Sequence, residues 1–289
     1  MLSGAFFISP GRWRDEKFTI TNGVGNVDTV NYDGHIRIVS LAPSVTSILL
    51  ALGVGREVVG VSRWCKDVVA VGRRPTVGDC WKLDVATVMK LEPTLIIGSV
   101  PFAPEAVAKL LAEPVAFLAI NPRSLNDIEN DVRILGSLVH RASGAEKLIR
   151  RMRSEFGKVR GRALALASSR RPRVYCEAWP NPRISSPPWV AELVTLAGGT
   201  NVIPAGQRIT DQQVAEANPD VIILAWAATG SRAKPSNALR NRAWKNVGAV
   251  TNGRVFVIRD ELLNTPGPPL VRGARQLQKI FQRFATSSD

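Results

Sequence analysis

The chain has 289 residues, 45% of them hydrophobic and 21% charged, and its 38 Lys and Arg against 24 Asp and Glu give a formal charge of +14. That length accommodates two lobes that each bury a core, and the composition excludes wholesale disorder. No apolar run reaches the roughly 20 residues of a membrane helix. Three cysteines, Cys65, Cys80 and Cys176, are too few for a disulfide framework and lack C-x-x-C zinc spacing. One Cys65–Cys80 bridge or three free thiols remain.

Residues 1 to about 35 read as a poorly ordered or loosely docked extension. Its start, "MLSGAFFISPGRWRDEKF", holds a short apolar patch broken by Pro10. No export signal is expected from it, and on that ground alone the expectation for the chain as written is cytoplasmic, with localisation left open. "HIRIVSLAP" is the first strand. "SVTSILLALGVG" reads as a short helix with Ser44 as N-cap and Gly53 past its end. "EVVGVS" is a second strand, "LDVATVMKLEP" a helix stopped by Pro93, and "TLIIGS" and "VAFLAI" continuous apolar strands flanking a helix from about Pro104 to Ala112. Strands of this kind alternating with helices predict a parallel sheet covered on both faces.

"LNDIENDVRILGSLVH" is one helix, and "GAEKLIRRMRSEFGKVRGRALALAS" a longer one with Leu148, Met152, Phe156, Val159, Ala163 and Leu166 on one stripe. About 25 residues make a rod of roughly 35 Å, enough to run along two domains. Between Arg141 and Arg173 lie eleven Lys or Arg against Glu146 and Glu155, an excess of nine. After "SSRRP" the alternation restarts. "RVYCEAW" is a strand, "WVAELVTLAGG" and "ITDQQVAEANP" are helices, "DVIILAW" and "RVFVIRD" are strands, and "LVRGARQLQKIFQRF" is the last helix.

The two halves match. Shifted by 126 residues, "LDVATVMKLEPTLIIGS" falls on "ITDQQVAEANPDVIILA", with Pro93 on Pro219 and Leu95, Ile96 and Ile97 on Val221, Ile222 and Ile223. The expected architecture is α/β: a Rossmann-like lobe over 36–122, a helical linker over 123–169 and a second Rossmann-like lobe over 170–289, with a ligand cleft between the lobes.

Ligands of open α/β sheets bind beyond the carboxyl ends of the strands. Those ends carry Arg63, Trp64, Ser99, Val100 and Pro101 in the first lobe, and Glu177, Trp179, Trp226, Asp260 and Glu261 in the second. Five of the seven tryptophans, Trp64, Trp81, Trp179, Trp189 and Trp226, fall in or near such loops. Flat rings there suit a bulky ligand with an apolar face and a polar rim, although tryptophans also close hydrophobic cores.

Catalytic signals are sparse. No P-loop, G-x-S-x-G, G-x-G-x-x-G or H-E-x-x-H occurs, and Ser231 to Lys234 match S-x-x-K without its companion motifs. Glu177, Asp260 and Glu261 are acids without a partnered nucleophile, so no catalytic residue is assigned. His35 and His140 lack ligand spacing, and no metal site is expected.

The combination "RIVSLAPS…GVS…EPTLII…NPDVIIL" resembles the helical-backbone (class III) substrate-binding proteins of ABC importers, over about residues 36–284, and most of all their cobalamin-binding branch. The resemblance implies a corrinoid held between two lobes, with no intrinsic cofactor. It also implies a ligand lining at Trp64, Trp81, Trp179, Arg183, Trp226, Asp260, Glu261 and Leu262, and a monomer working outside the inner membrane with an importer permease. Such proteins present one glutamate per lobe to the importer. Glu105 matches the first, and at the second, Gln212 stands where the acid is expected, beside Asp211.

Three other readings stay open. A ferric siderophore would draw on the cations of the cleft loops, Arg63, Lys66, Lys82, Arg183 and Arg208, whereas haem would need an axial ligand from His35, His140, Tyr175, a methionine or a cysteine. A cytosolic interaction protein would use the basic helix on nucleic acid or an anionic membrane, although no nucleic-acid motif accompanies it and no specific nucleic acid is expected. An enzyme would use the cleft acids.

Overall fold

The computed structural model describes residues 18–21, 27–30, 36–165, 171–227, 229, 233–239 and 243–286. Within the amino-terminal extension, β1 (Phe18–Thr21) and β2 (Val27–Val30) form an antiparallel ladder with Phe18 opposite Val30. His35, Leu166, Ser231 and Arg232 lie outside the described residues, so the S-x-x-K match is described only at its carboxyl end.

The first lobe comprises β3 (Ile38–Ser40), α1 (Pro43–Ala51), β4 (Val58–Val61), α2 (Cys65–Val68), α3 (Val85–Met89), β5 (Leu95–Ser99), α4 (Pro104–Leu111) and β6 (Ala116–Ile120). Its strands are all parallel in the order β4-β3-β5-β6. Alternate residues of the central strands face opposite sides, as a pleated strand requires. Ile38, Leu95 and Ile97 pack on Val45, Ile48 and Leu49 of α1, while Val39 and Ile96 pack on Val85, Val88 and Leu110. Helices therefore cover both faces, which is why the strands read as continuous apolar runs.

Helix α1 corrects one expectation. Ala42 is its N-cap, with no side-chain hydrogen bond, and Pro43 occupies the first turn, where its missing N–H costs nothing. Ser44 is thus inside the helix. Gly53 closes it with φ of 78°, a left-handed conformation that favours glycine.

Helices α5 (Leu125–Leu138) and α6 (Ala142–Ala165) join the lobes. Ser124 caps α5 by accepting from the Asp127 N–H at 3.0 Å. With 24 residues, α6 is about 36 Å long. Ile149 on α6 and Val132 and Leu135 on α5 enter the core of the first lobe, whereas Met152, Phe156, Val159 and Ile128 enter that of the second. The pair is a shared wall.

The second lobe comprises β7 (Arg173–Pro180), β8 (Arg183–Ser185), α7 (Pro188–Leu196), β9 (Thr200–Asn201), α8 (Asp211–Ala217), β10 (Val221–Leu224), α9 (Pro235–Leu239), α10 (Gly248–Thr251), β11 (Val255–Val257) and α11 (Leu270–Thr286). Strands β11, β10 and β7 run parallel, and the far edge of β7 is shared between parallel β9 and antiparallel β8. The repeat is kept in the register: Ile38 stands opposite Leu95 in one sheet and Val174 opposite Val221 in the other.

The lobes touch beside the wall. A Cβ built on Gly267 would stand 3.2 Å from Ser47 Oγ, so the loop before α11 lies against α1. Leu125 N–H at the start of α5 donates to Glu192 of α7 at 3.2 Å.

Candidate ligand-binding cleft

In the first lobe the loops after β4 and β5 are both stitched to the turn between α2 and α3. Arg63 N–H donates to Gly78 O at 3.1 Å, and Ala103 N–H donates to Cys80 O at 3.0 Å. Asp79 is the centre of this arrangement. One carboxylate oxygen accepts the backbone N–H of Trp81 at 3.0 Å and of Lys82 at 2.9 Å, closing a tight turn. The other accepts the Trp64 indole N–H at 2.9 Å and pairs with Arg63 at 2.7 Å. Arg63 also stacks on Trp64, 4.7 Å from its ring centre.

Burial pushes the Asp79 carboxyl up, but the Lys82 N–H, the Trp64 indole, the Trp81 N–H and the Arg63 charge together hold it below the usual carboxylate range. The turn that Asp79 fixes presents Trp81, 64% exposed, next to the loop carrying the exposed Val100. The thiols nearby are inert. Cys65 and Cys80 are free and buried, and burial pushes both up, Cys80 to about 12. The cysteines are therefore unpaired, and Cys176 is buried likewise.

The second lobe also centres on a carboxylate, but a fully buried one. Glu177, 0% exposed, accepts the Trp226 indole N–H at 2.9 Å on one oxygen, and the Tyr175 hydroxyl at 2.8 Å and Arg183 Nε at 3.0 Å on the other. Arg183 reaches on to Asp211 at 2.8 Å and stacks on Trp244 at 4.9 Å. Tyr175 meets Trp244 edge to face. The antiparallel turn from β7 into β8 makes this network by folding Arg183 back over Glu177.

The residues expected to line the cleft therefore divide. Trp81 and Trp179, the latter 39% exposed with its indole N–H on Asn181 O, offer ring faces to solvent, one from each lobe. Trp64 is half-buried, with its polar edge on Asp79. Trp226 is buried beside Tyr175 and Leu224, and Leu262 is buried in the core with Leu263 and Trp189. Arg183 is committed to Glu177 and Asp211. Glu261 is buried and ion-paired with Arg259, and Asp260 opens the short turn after β11.

Among the docking candidates, Glu105 is exposed in the first turn of α4. At the start of α8, Asp211 turns inward to Arg183, while Gln212 is exposed and donates to Glu216 at 2.7 Å. The exposed carboxylate of that helix is Glu216, one turn beyond the matched position. His140 is exposed at the end of α5, and among the described residues no three His, Cys, Asp or Glu side chains gather as a metal site.

Sequence reasoning missed Asp79, the buried role of Glu177, and Trp244. The signal for Asp79 was present, since an Asp two and three residues ahead of an aromatic and a lysine in a glycine-flanked stretch is an Asx-turn pattern.

The fold is thus two α/β lobes joined by a helical wall, with one exposed indole on each lobe: Trp81 in the turn before α3 and Trp179 near the end of β7. The family described as periplasmic binding protein matches residues 38–262, and the chain belongs to it. The uncharacterized ABC transporter substrate-binding lipoprotein YvrC of Bacillus subtilis (strain 168) is 27% identical over 285 residues, spanning 93% of this chain and 87% of that one. A vitamin B12-binding protein of Vibrio cholerae serotype O1 is 24% identical, over 83% of this chain and 87% of its own. Among solved structures, the periplasmic heme-binding protein RhuT of Roseiflexus sp. RS-1 superposes with a TM-score of 0.75 at 24% identity, covering 87% of this chain and all of that one.

Proposed function

We propose that this protein binds a cobalamin-type corrinoid between its lobes and delivers it to an ABC importer, without performing chemistry on it. The observation that carries this reading is the pair of exposed indoles, Trp81 and Trp179, one from each lobe. Large apolar rings held in water by a fixed turn are poised for an apolar ligand face. Asp79 and Glu177 hold the surrounding loops, so little ordering is left to do on binding. The B12-binding relative supports the corrinoid, and the heme-binding neighbour keeps a second planar macrocycle in view. Docking would present Glu105 on one lobe and Glu216, with Gln212, on the other, to basic pockets of the permease.

The test is retention. The protein is mixed with aquocobalamin, desalted and read in the visible range, beside hemin and a ferric catecholate. One corrin per chain is expected, displaced by neither competitor, and Trp81→Ala and Trp179→Ala should each weaken binding by about 2 kcal/mol, roughly thirtyfold. Hemin retained in place of cobalamin would move the assignment to haem. Retention undiminished by both truncations would remove the indoles from the site.

A further inference from the structure

The basic cluster on the connecting helix has no part in the cleft. Its carboxyl-terminal half lies along α11, and the two helices enclose a groove of about 420 Å³. Glu155, Lys158 and Arg162 on α6 are spaced three and four apart, and on α11 Gln278 and Lys279 lie three and four residues after Arg275, so each helix gives one stripe to the groove. Lys158 at 2.7 Å and Arg275 share the Glu155 carboxylate, whose hydrogen bonds to Lys158 and then Arg275 hold it down at about 2 and keep it charged. Arg162 and Lys279 have no ion-pair partner among the described residues. Four cations against one carboxylate leave the lining with an excess of three positive charges.

A second observation points the same way. Gln278 lines the groove yet is 2% exposed, and its amide nitrogen is buried without a hydrogen-bond partner. An orphan buried donor is costly, and an oxygen-rich anion beside it would satisfy it.

We infer that the groove between α6 and α11 is a binding site for a multiply charged phosphate-type anion, held by Arg162 and Lys279 and by the buried amide of Gln278. The anion is either a free phosphate compound or a lipid headgroup, and both offer the same oxygens. This site is separate from the cleft and does not depend on which ligand the cleft takes.

Pyrophosphate is the probe, titrated calorimetrically into the full chain at 0.15 M salt, with phosphatidylglycerol vesicles in a parallel sedimentation assay. One site per chain is expected. Arg162→Gln with Lys279→Gln should weaken it at least tenfold, and Gln278→Leu about threefold. Lys147→Gln with Arg150→Gln, which removes the same charge from exposed positions elsewhere on α6, should change it less than twofold. Vesicle binding that pyrophosphate displaces and the groove variant loses identifies a lipid headgroup. Pyrophosphate binding without sedimentation identifies a free anion. Equal losses in the two double variants, or no binding in either assay, would overturn the site.

Discussion

The register that aligns the two sheets also aligns Leu41, just past β3, with Glu177 near the end of β7. Leu41 is buried among Val39, Val77 and Ile96, and Glu177 is buried among an arginine, a tyrosine and a tryptophan. One backbone frame thus accepts an apolar residue in one lobe and an ion pair in the other. What differs is the connection. The first lobe passes from β3 to α1 through two residues, Leu41 and Ala42, whereas the second inserts β8 and returns Arg183 across the strand end. The buried acid is tolerable only because that hairpin supplies its counter-charge.

Removing the acid is the strongest way to break this comparison. Glu177→Ala would leave the largely buried Arg183 with the half-exposed Asp211 as its counter-charge and its stack on Trp244, and should cost about 3–5 kcal/mol in denaturant unfolding. Replacing both partners, Glu177→Leu with Arg183→Leu, imitates the first lobe and should recover most of that loss. If the double variant is as unstable as Glu177→Ala, the ion pair is the source of the second lobe's shape and the lobes are not interchangeable at this position.

Asp79 is the corresponding carboxylate of the first lobe, and its arginine is half-exposed. Asp79→Ala should therefore cost less, about 1–2 kcal/mol, because water takes over part of what Arg63 loses. The carboxyl is held below its unfolded value of about 3.9, so its contribution is present above that pH and disappears as pH falls through the folded value. Wild type and variant should differ near neutrality, and the gap should narrow once the pH falls below the unfolded value. The same variant should loosen the turn under Trp81, which the cobalamin assay would register as weaker binding with the indole still present.

The repeat, the alternation and the connecting helix were legible in the sequence because each is a period written into apolar residues: Leu95 to Ile97 and Val221 to Ile223 had to be strands of one kind. Trp81 and Trp179 were singled out by position alone, and both stay exposed in the fold, at 64% and 39%. Trp226 and Leu262 follow strand ends just as closely, but they turn into the core. Position along the chain names the loop and leaves open the direction of the side chain, which tertiary packing decides. Arg183 is the clearest instance. As a cation in a cleft loop it looks like a ligand contact, and only the antiparallel return of β8, unmarked by any periodicity, shows that it faces an acid two residues deeper in its own lobe.

A last variant, whose effect vanishes at acid pH, tests what the join between the lobes does with a carboxylate that has no such return. Asp131 on α5 is 9% exposed, between Ile128, which enters the second core, and Val132 and Leu135, which enter the first. Its Oδ2 is buried without a partner. Burial, and then the charge of Asp127 one turn earlier, push the carboxyl up to about 6. The folded chain therefore holds a proton that the unfolded chain has released, so stability falls as pH rises from about 4 through 6 and stays reduced above. Asp131→Asn removes the charge and keeps the shape. It should stabilise by about 1–2 kcal/mol at pH 7.5, allowing for solvent screening at the helix surface, and by nothing at pH 4. Thermal unfolding at the two pH values measures this directly. A pH-independent gain would mean that the substitution acts through packing, and equal stability at both would mean that Asp131 finds a donor in solution, as Glu177 does in the second lobe.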